Sequence, residues 1–192
     1  MSALEQMYQQ VILDHAKRPV GKVSSVELVE TTTVDLKTPI KPTASVEPKT
    51  SVELVETTIG EPVTAFEPHC SVGESHQINP TCGDEITLRA TVTDGVLMRV
   101  SWIGQGCSIS QASASVMTEL VTGLSLAEVA ELDGLFHELM TSRGRGLGAG
   151  RDDDEDALGD ALAFTGTSRY PARIKCTLLG WAALKDALTR CS

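Results

Sequence analysis

A chain of 192 residues, 41% of them hydrophobic, is long enough to bury one ordinary core. Sixteen basic against 26 acidic residues leave a net charge of −10, which disfavours a nucleic-acid or anionic-membrane surface and suits docking onto a basic partner. No apolar run approaches the roughly 18 residues that a bilayer span requires, and the start MSALEQMYQQ lacks the basic-then-apolar pattern of a leader. Five cysteines, an odd count without export, read as thiols of a reducing cytoplasm. The expectation is a soluble cytoplasmic protein.

Residues 3–17 place Leu4, Met7, Tyr8, Val11, Ile12 and His15 at helical spacing, with Pro19 as the stop. The character then changes. Residues 23–65 hold no aromatic, cysteine or histidine, but nine threonines and half of the eight prolines. Within them SVELVETT occurs twice, at 25–32 and 51–58. Two copies are too few for a solenoid, and Pro39, Pro42 and Pro48 argue for an extended, poorly packed connection. The segment from about 20 to 77 therefore reads as a duplicated, low-complexity insertion, with folding resumed near residue 78.

EITLRATVT alternates Ile86, Leu88, Ala90 and Val92, Asp94-Gly95 is a two-residue turn, and VLMRVSWIG returns as the second strand of a hairpin. Gly104 and Gly106 then make a tight bend before a helix carrying Ile109, Ala112, Val116, Met117 and Leu120, so Cys107 falls at a helix N-terminus. Ser125 and Glu128 have capping-box spacing at the head of a helix over 126–141. RGRGLGAGRDDDED, 143–156, reads as a flexible loop, and a short helical piece follows around 157–164. The stretch from Tyr170 reads as one last helix with Pro171 in its first turn and Ile174, Leu178 and Trp181 on its apolar stripe.

Three cysteines lie at element boundaries. Cys82 stands two residues before Asp84 in INPTCGDEI, so a thiol and a carboxylate project together from an extended segment. Cys107 meets the partial positive charge of a helix N-terminus, and Cys176 is flanked by Arg173 and Lys175; both settings favour thiolate. Spacings of 25 and 69 residues make no local zinc knuckle. If the element ends converge, Cys82, Asp84, Cys107 and Cys176 supply three thiolates and a carboxylate, a set suited to tetrahedral zinc or to a corner of an iron–sulfur site. Cys70 with His69 and His76, Cys191, His15 and His137 read as incidental or packing residues. Asp152–Asp156 starts like a calcium loop but lacks its glycine and its glutamate, and RGRGLGAG has no nucleotide-site spacing.

MYQQVILDH, NPTCGD, GQGCSISQASASVMT and YPARIKCTLLGWAAL together resemble the SufU-type proteins of iron–sulfur cluster assembly, relatives of the IscU and NifU N-terminal scaffolds, over about 5–19 and 78–188. The resemblance implies an α+β fold of the SufE/NifU type, a small antiparallel β-sheet packed by helices on one side, as a single domain over 1–192 broken by the insertion. It implies that Cys82, Asp84, Cys107 and Cys176 converge around zinc. Cys82 would also accept persulfide sulfur from a SufS-type cysteine desulfurase and pass it toward a downstream Suf cluster-assembly scaffold. In the family picture a desulfurase histidine takes over a zinc position and frees Cys82. Three features favour this sulfurtransferase over a scaffold binding a [2Fe-2S] cluster. Lys175 stands where scaffolds carry histidine, the proline-rich chaperone motif is replaced by RYPARIK, and the 107–176 interval is long. A third reading is a non-enzymatic, zinc-stabilised interaction protein. The long insertion departs from the family pattern.

Overall fold

The structure is a computed structural model and describes residues 3–30 and 70–191. Pro39, Pro42, Pro48, His69 and the second SVELVETT copy lie outside the described residues.

Three strands, β1 (Cys70–Ile78), β2 (Glu85–Thr93) and β3 (Val96–Gln105), pair antiparallel in the order β1–β2–β3. The alternation in β2 does what its period predicts: Ile86, Leu88, Ala90 and Val92 are buried on one face, while Thr87, Arg89 and Thr91 look the other way. Asp94 and Gly95 both have positive φ, 50° and 79°, the conformation of a tight primed turn.

The buried face carries the helices. α1 (Ala3–Lys17) lies on α3 (Ser108–Val121), and α3 and α7 (Leu179–Thr189) cover the sheet. α4 (Leu126–Thr141) starts with the predicted capping box, in which Ser125 Oγ accepts from the Glu128 amide and the Glu128 carboxylate accepts from the Ser125 amide. Phe136 of α4 stacks on Trp181 of α7 at 4.6 Å and meets Phe164 edge-on at 6.1 Å, closing the core. The result is α+β, the long helices on one side of a small antiparallel sheet. No helix among the described residues is long and apolar enough to cross a membrane.

Four sequence expectations change. The fold resumes at Cys70 rather than near 78, because β1 forms a full edge strand. Its helix-facing positions are Ser71, Gly73 and Ser75, so no apolar alternation betrays it. A Cβ on Gly73 would fall on the Ala187 carbonyl, and Ser75 Oγ instead donates to Asp186 Oδ2 at 2.7 Å. The front of the expected insertion is also in the fold. The Trp102 amide donates to the Gly21 carbonyl at 2.8 Å, the Val23 amide to the Trp102 carbonyl at 2.9 Å, and a short helix, α2 (Ser25–Glu30), follows with Leu28 buried.

Next, the loop over 143–156 ends early, since the acidic run begins α5 (Asp152–Leu158). Its carboxylates face the positive end of the helix, and Arg151 ties Asp154 and Glu138, each at 2.6 Å. A 3₁₀ segment, Gly159–Arg169, continues from it. Last, the final helix is broken at Leu178 into α6 (Pro171–Thr177) and α7. Ser113 Oγ of α3 donates to the Thr177 carbonyl at 2.6 Å, which gives that carbonyl a partner outside its own helix at the break.

The crowding at Gly73 yields a direct test. Gly73→Ala forces β1 away from α7 and should destabilise the fold by about 1–3 kcal/mol. Urea midpoints of the two proteins measure it, and an unchanged midpoint would show that the strand has room to move.

Candidate metal centre

The β1–β2 connection is a short loop that Asn79 holds closed. The Asn79 amide donates to the Asp84 carbonyl at 2.8 Å, and the Gly83 amide donates to the Asn79 carbonyl at 2.9 Å. The Asn79 side chain, itself buried, accepts from the Thr81 amide at 3.0 Å, an Asx turn that seats Pro80. Gly83, at φ 74°, supplies the left-handed residue that lets Cys82 face outward and Asp84 inward.

Around this loop the structure gathers Cys82, Asp84 and Cys176, whose donor atoms all lie within 4.8 Å of one another. Cys82 Sγ is 3.4 Å from Cys176 Sγ. Cys82 is exposed, whereas Cys176 and Asp84 are buried at 7% and 6% exposure. Cys107 stands outside that group and at its edge. It occupies the N-cap of α3, its amide donates to Asp84 Oδ1 at 3.3 Å, and its thiol is 3.7 Å from Ser110 Oγ. A Cβ on Gly106 would come within 2.9 Å of Asp84 Cγ, so that glycine lets the bend close over the carboxylate.

The electrostatics divide the groups. Burial pushes the Cys176 thiol well up, helped by its hydrogen bond to Cys82 and by the nearby charges of Cys107, Cys82 and Asp84. Burial also raises Asp84, but hydrogen bonds from Ser110, Cys107 and Cys82 outweigh it and leave the carboxyl below its ordinary value. Yet Asp84 Oδ2 is buried with no hydrogen-bond partner. A buried carboxylate oxygen without a donor is costly. A cation bound there would remove the cost, and thiols beside a carboxylate are the donor set of a borderline-soft ion such as zinc.

The other sequence candidates stay apart from this group. His76 bonds Thr87 at 2.8 Å on the outer sheet face, and Cys70 begins β1. The Cys191 thiol donates to the Ala187 carbonyl at 3.6 Å. His15 meets Ser115 Oγ at 2.8 Å, and His137 lies 3.2 Å from Asp133. Lys175 Nζ donates to Thr81 Oγ1 at 3.2 Å and so braces the Cys82 loop, while Arg173 lies over the Tyr170 ring at 4.7 Å. Sequence reasoning overlooked Asn79 and Ser110. Asn79-Pro80 was a readable turn signal; Ser110 had none, since its role depends on which loop α3 meets.

Residues 61–188 match the NifU-like N-terminal domain family. Over 112 residues the chain is 37% identical to the zinc-dependent sulfurtransferase SufU of Bacillus subtilis 168, covering 58% of this chain and 71% of that protein. It is 40% identical over 114 residues to the iron–sulfur cluster assembly scaffold protein IscU of Thermotoga maritima, 59% of this chain and 75% of the relative. A crystal structure from Fervidobacterium islandicum AW-1, of a candidate cluster assembly scaffold for the SUF system, superposes with a TM-score of 0.53 at 34% identity. It covers 60% of this chain and 79% of that one.

The exposure and burial of the thiols predict their order of reaction. In metal-free protein at neutral pH, iodoacetamide should modify exposed Cys70, Cys82 and Cys107 first. Cys176 and Cys191, both raised mainly by burial, should react about tenfold or more slowly. Peptide mapping against time reads the order, and early modification of Cys176 would contradict the geometry.

Proposed function

The chain belongs to the NifU-like N-terminal domain family, and on that premise we propose that it is a zinc-dependent sulfurtransferase that accepts persulfide sulfur from a cysteine desulfurase for iron–sulfur cluster assembly. The observation that carries this is the pairing of an exposed Cys82 with a buried Cys176 at 3.4 Å, beside a buried carboxylate with an unpartnered oxygen. Cys82, Asp84, Cys107 and Cys176 would hold the zinc. When bound, zinc keeps its thiols deprotonated at neutral pH and damps their reactivity.

The chain's own residues supply the rest. Cys82, at the tip of the Asn79 loop, is the thiol a partner reaches. Its thiolate attacks the outer sulfur of the desulfurase persulfide; the sulfur–sulfur bond of the donor breaks, the donor cysteine leaves as thiolate, and a persulfide forms on Cys82 with no net redox change. Buried Cys176 is withheld from that exchange. Lys175, through Thr81, holds the loop that presents Cys82. The donor would be a SufS-type desulfurase and the onward acceptor a Suf cluster-assembly scaffold.

Similarity to IscU at 40% identity favours a second reading, a scaffold on which a [2Fe-2S] cluster is built at the same residues. Lys175 in place of a histidine beside Cys176 supports transfer instead. Anaerobically purified protein should contain about one zinc per chain with negligible iron and labile sulfide. Incubation with desulfurase and cysteine should place a persulfide on Cys82, and Cys82→Ala should abolish it. Iron and sulfide in comparable amounts would transfer the protein to the scaffold reading, and zinc without a persulfide would leave a binding protein.

We further propose that the chain is one domain with its insertion confined within about 31–69. Removing residues 33–66 should then leave zinc content and desulfurase stimulation within about twofold of the full chain. Loss of either would show that the segment is part of the working fold.

A further inference from the structure

α2 occupies a defined seat on the face of the sheet opposite the helices. Ser24 caps it reciprocally: the Glu27 carboxylate accepts from the Ser24 amide at 2.9 Å, and the Glu27 amide donates to Ser24 Oγ at 3.4 Å. Leu28 is 4% exposed, and its carbonyl accepts from Arg89 Nη1. Arg89 in turn is paired through Nη2 with Glu74 at 2.7 Å, its register partner on β1. The segment thus carries its own capping pair, and the seat takes two features of it, the buried Leu28 and the Leu28 carbonyl offered to Arg89.

The chain contains those features twice. Residues 51–58 repeat 25–32 without a change, and Thr50 stands in the position of Ser24, so Thr50/Glu53 repeats the capping pair and Leu54 the buried leucine. We propose that the seat beneath α2 is an exchangeable peptide-binding site whose second ligand is the segment 50–56 of the same chain.

Chain geometry permits the exchange. Cys70 is four residues along β1 from Glu74, about 13 Å at strand spacing. The stretch from Leu54 to Cys70 can extend to about 50 Å, several times that distance. On the other side, Val23 stays anchored to Trp102 while the intervening residues loop out. The second copy offers matching residue types, Thr50 for Ser24, Glu53 for Glu27 and Leu54 for Leu28, so loop length distinguishes the copies in this proposal. Seating the second copy requires closing the stretch from Val23 to Thr50, a loop the first copy does not need, so loop entropy favours the first copy and leaves the second as the minor occupant. The seat lies among residues the metal centre does not use, so the exchange is independent of the proposed chemistry.

Amide hydrogen exchange on the full chain tests it. Peptides over 24–30 and 50–56 are distinguishable because Val23-Ser24 precedes one and Lys49-Thr50 the other. Leu28→Asp should release the first copy and slow exchange across 50–56 by about tenfold relative to the Leu28→Asp/Leu54→Asp double variant. Leu28→Ala gives the same comparison should the aspartate variant fail to fold. Equal exchange across 50–56 in the single and double variants overturns the proposal. Protection there that grows with protein concentration also overturns it, since it assigns the seat to a second chain.

Discussion

The close approach of α3 to the α6–α7 pair is the contact on which the site depends. A Cβ on Gly180 would come within 3.1 Å of the Ala114 Cα and Cβ, so the helices meet with only a hydrogen and a methyl group between them. Beside Ala114, Ser113 Oγ donates to the Thr177 carbonyl at 2.6 Å, at the break between α6 and α7. That bond fixes the end of α6 immediately after Cys176. The same α3 begins at Cys107, about 9 Å along its axis from Ser113. Bulk at Ala114 or Gly180 would therefore separate thiols that neither residue touches.

The site combines opposed surroundings at short range. Cys82 is on a loop tip and Cys176 beneath it, so two equal side chains 3.4 Å apart differ in access, and burial pushes the Cys176 thiol up. Asp84 is held charged by hydrogen bonds while one oxygen has no donor. A buried carboxylate oxygen without a donor is costly, and a cation bound there would remove that cost.

The outer face of the sheet has a different character. It mixes exposed Val72 and Ile78 with polar side chains, is crossed by the Glu74–Arg89 pair, and is partly covered by α2, a helix too short to persist without tertiary contacts. The contacts described for α2 include a capping pair, a buried leucine and a carbonyl on Arg89, and the residue types that make them recur 26 positions on in the sequence.

Much of this was legible in the order of residues. The β2–β3 hairpin follows from strict alternation and Asp94-Gly95, and the start of α4 from Ser125 and Glu128, because each is decided by neighbours in the chain. Cys82, Asp84, Cys107 and Cys176 could be singled out as chemistry-bearing by type and by their places at element ends. β1 could not be seen, since its inward positions are a glycine and two serines matched to the backbone of α7. Nor could the Ser110 contact, the break at Leu178, or the separation of Cys107 from the tighter Cys82–Asp84–Cys176 group. The sequence by itself determined local periodicity, caps and the inventory of thiols. Which thiols meet, and which of them is buried, was decided by the packing of α3 against α6 and α7, because distances between residues 25 and 69 positions apart are set by side-chain volume at helix crossings, which no local pattern encodes.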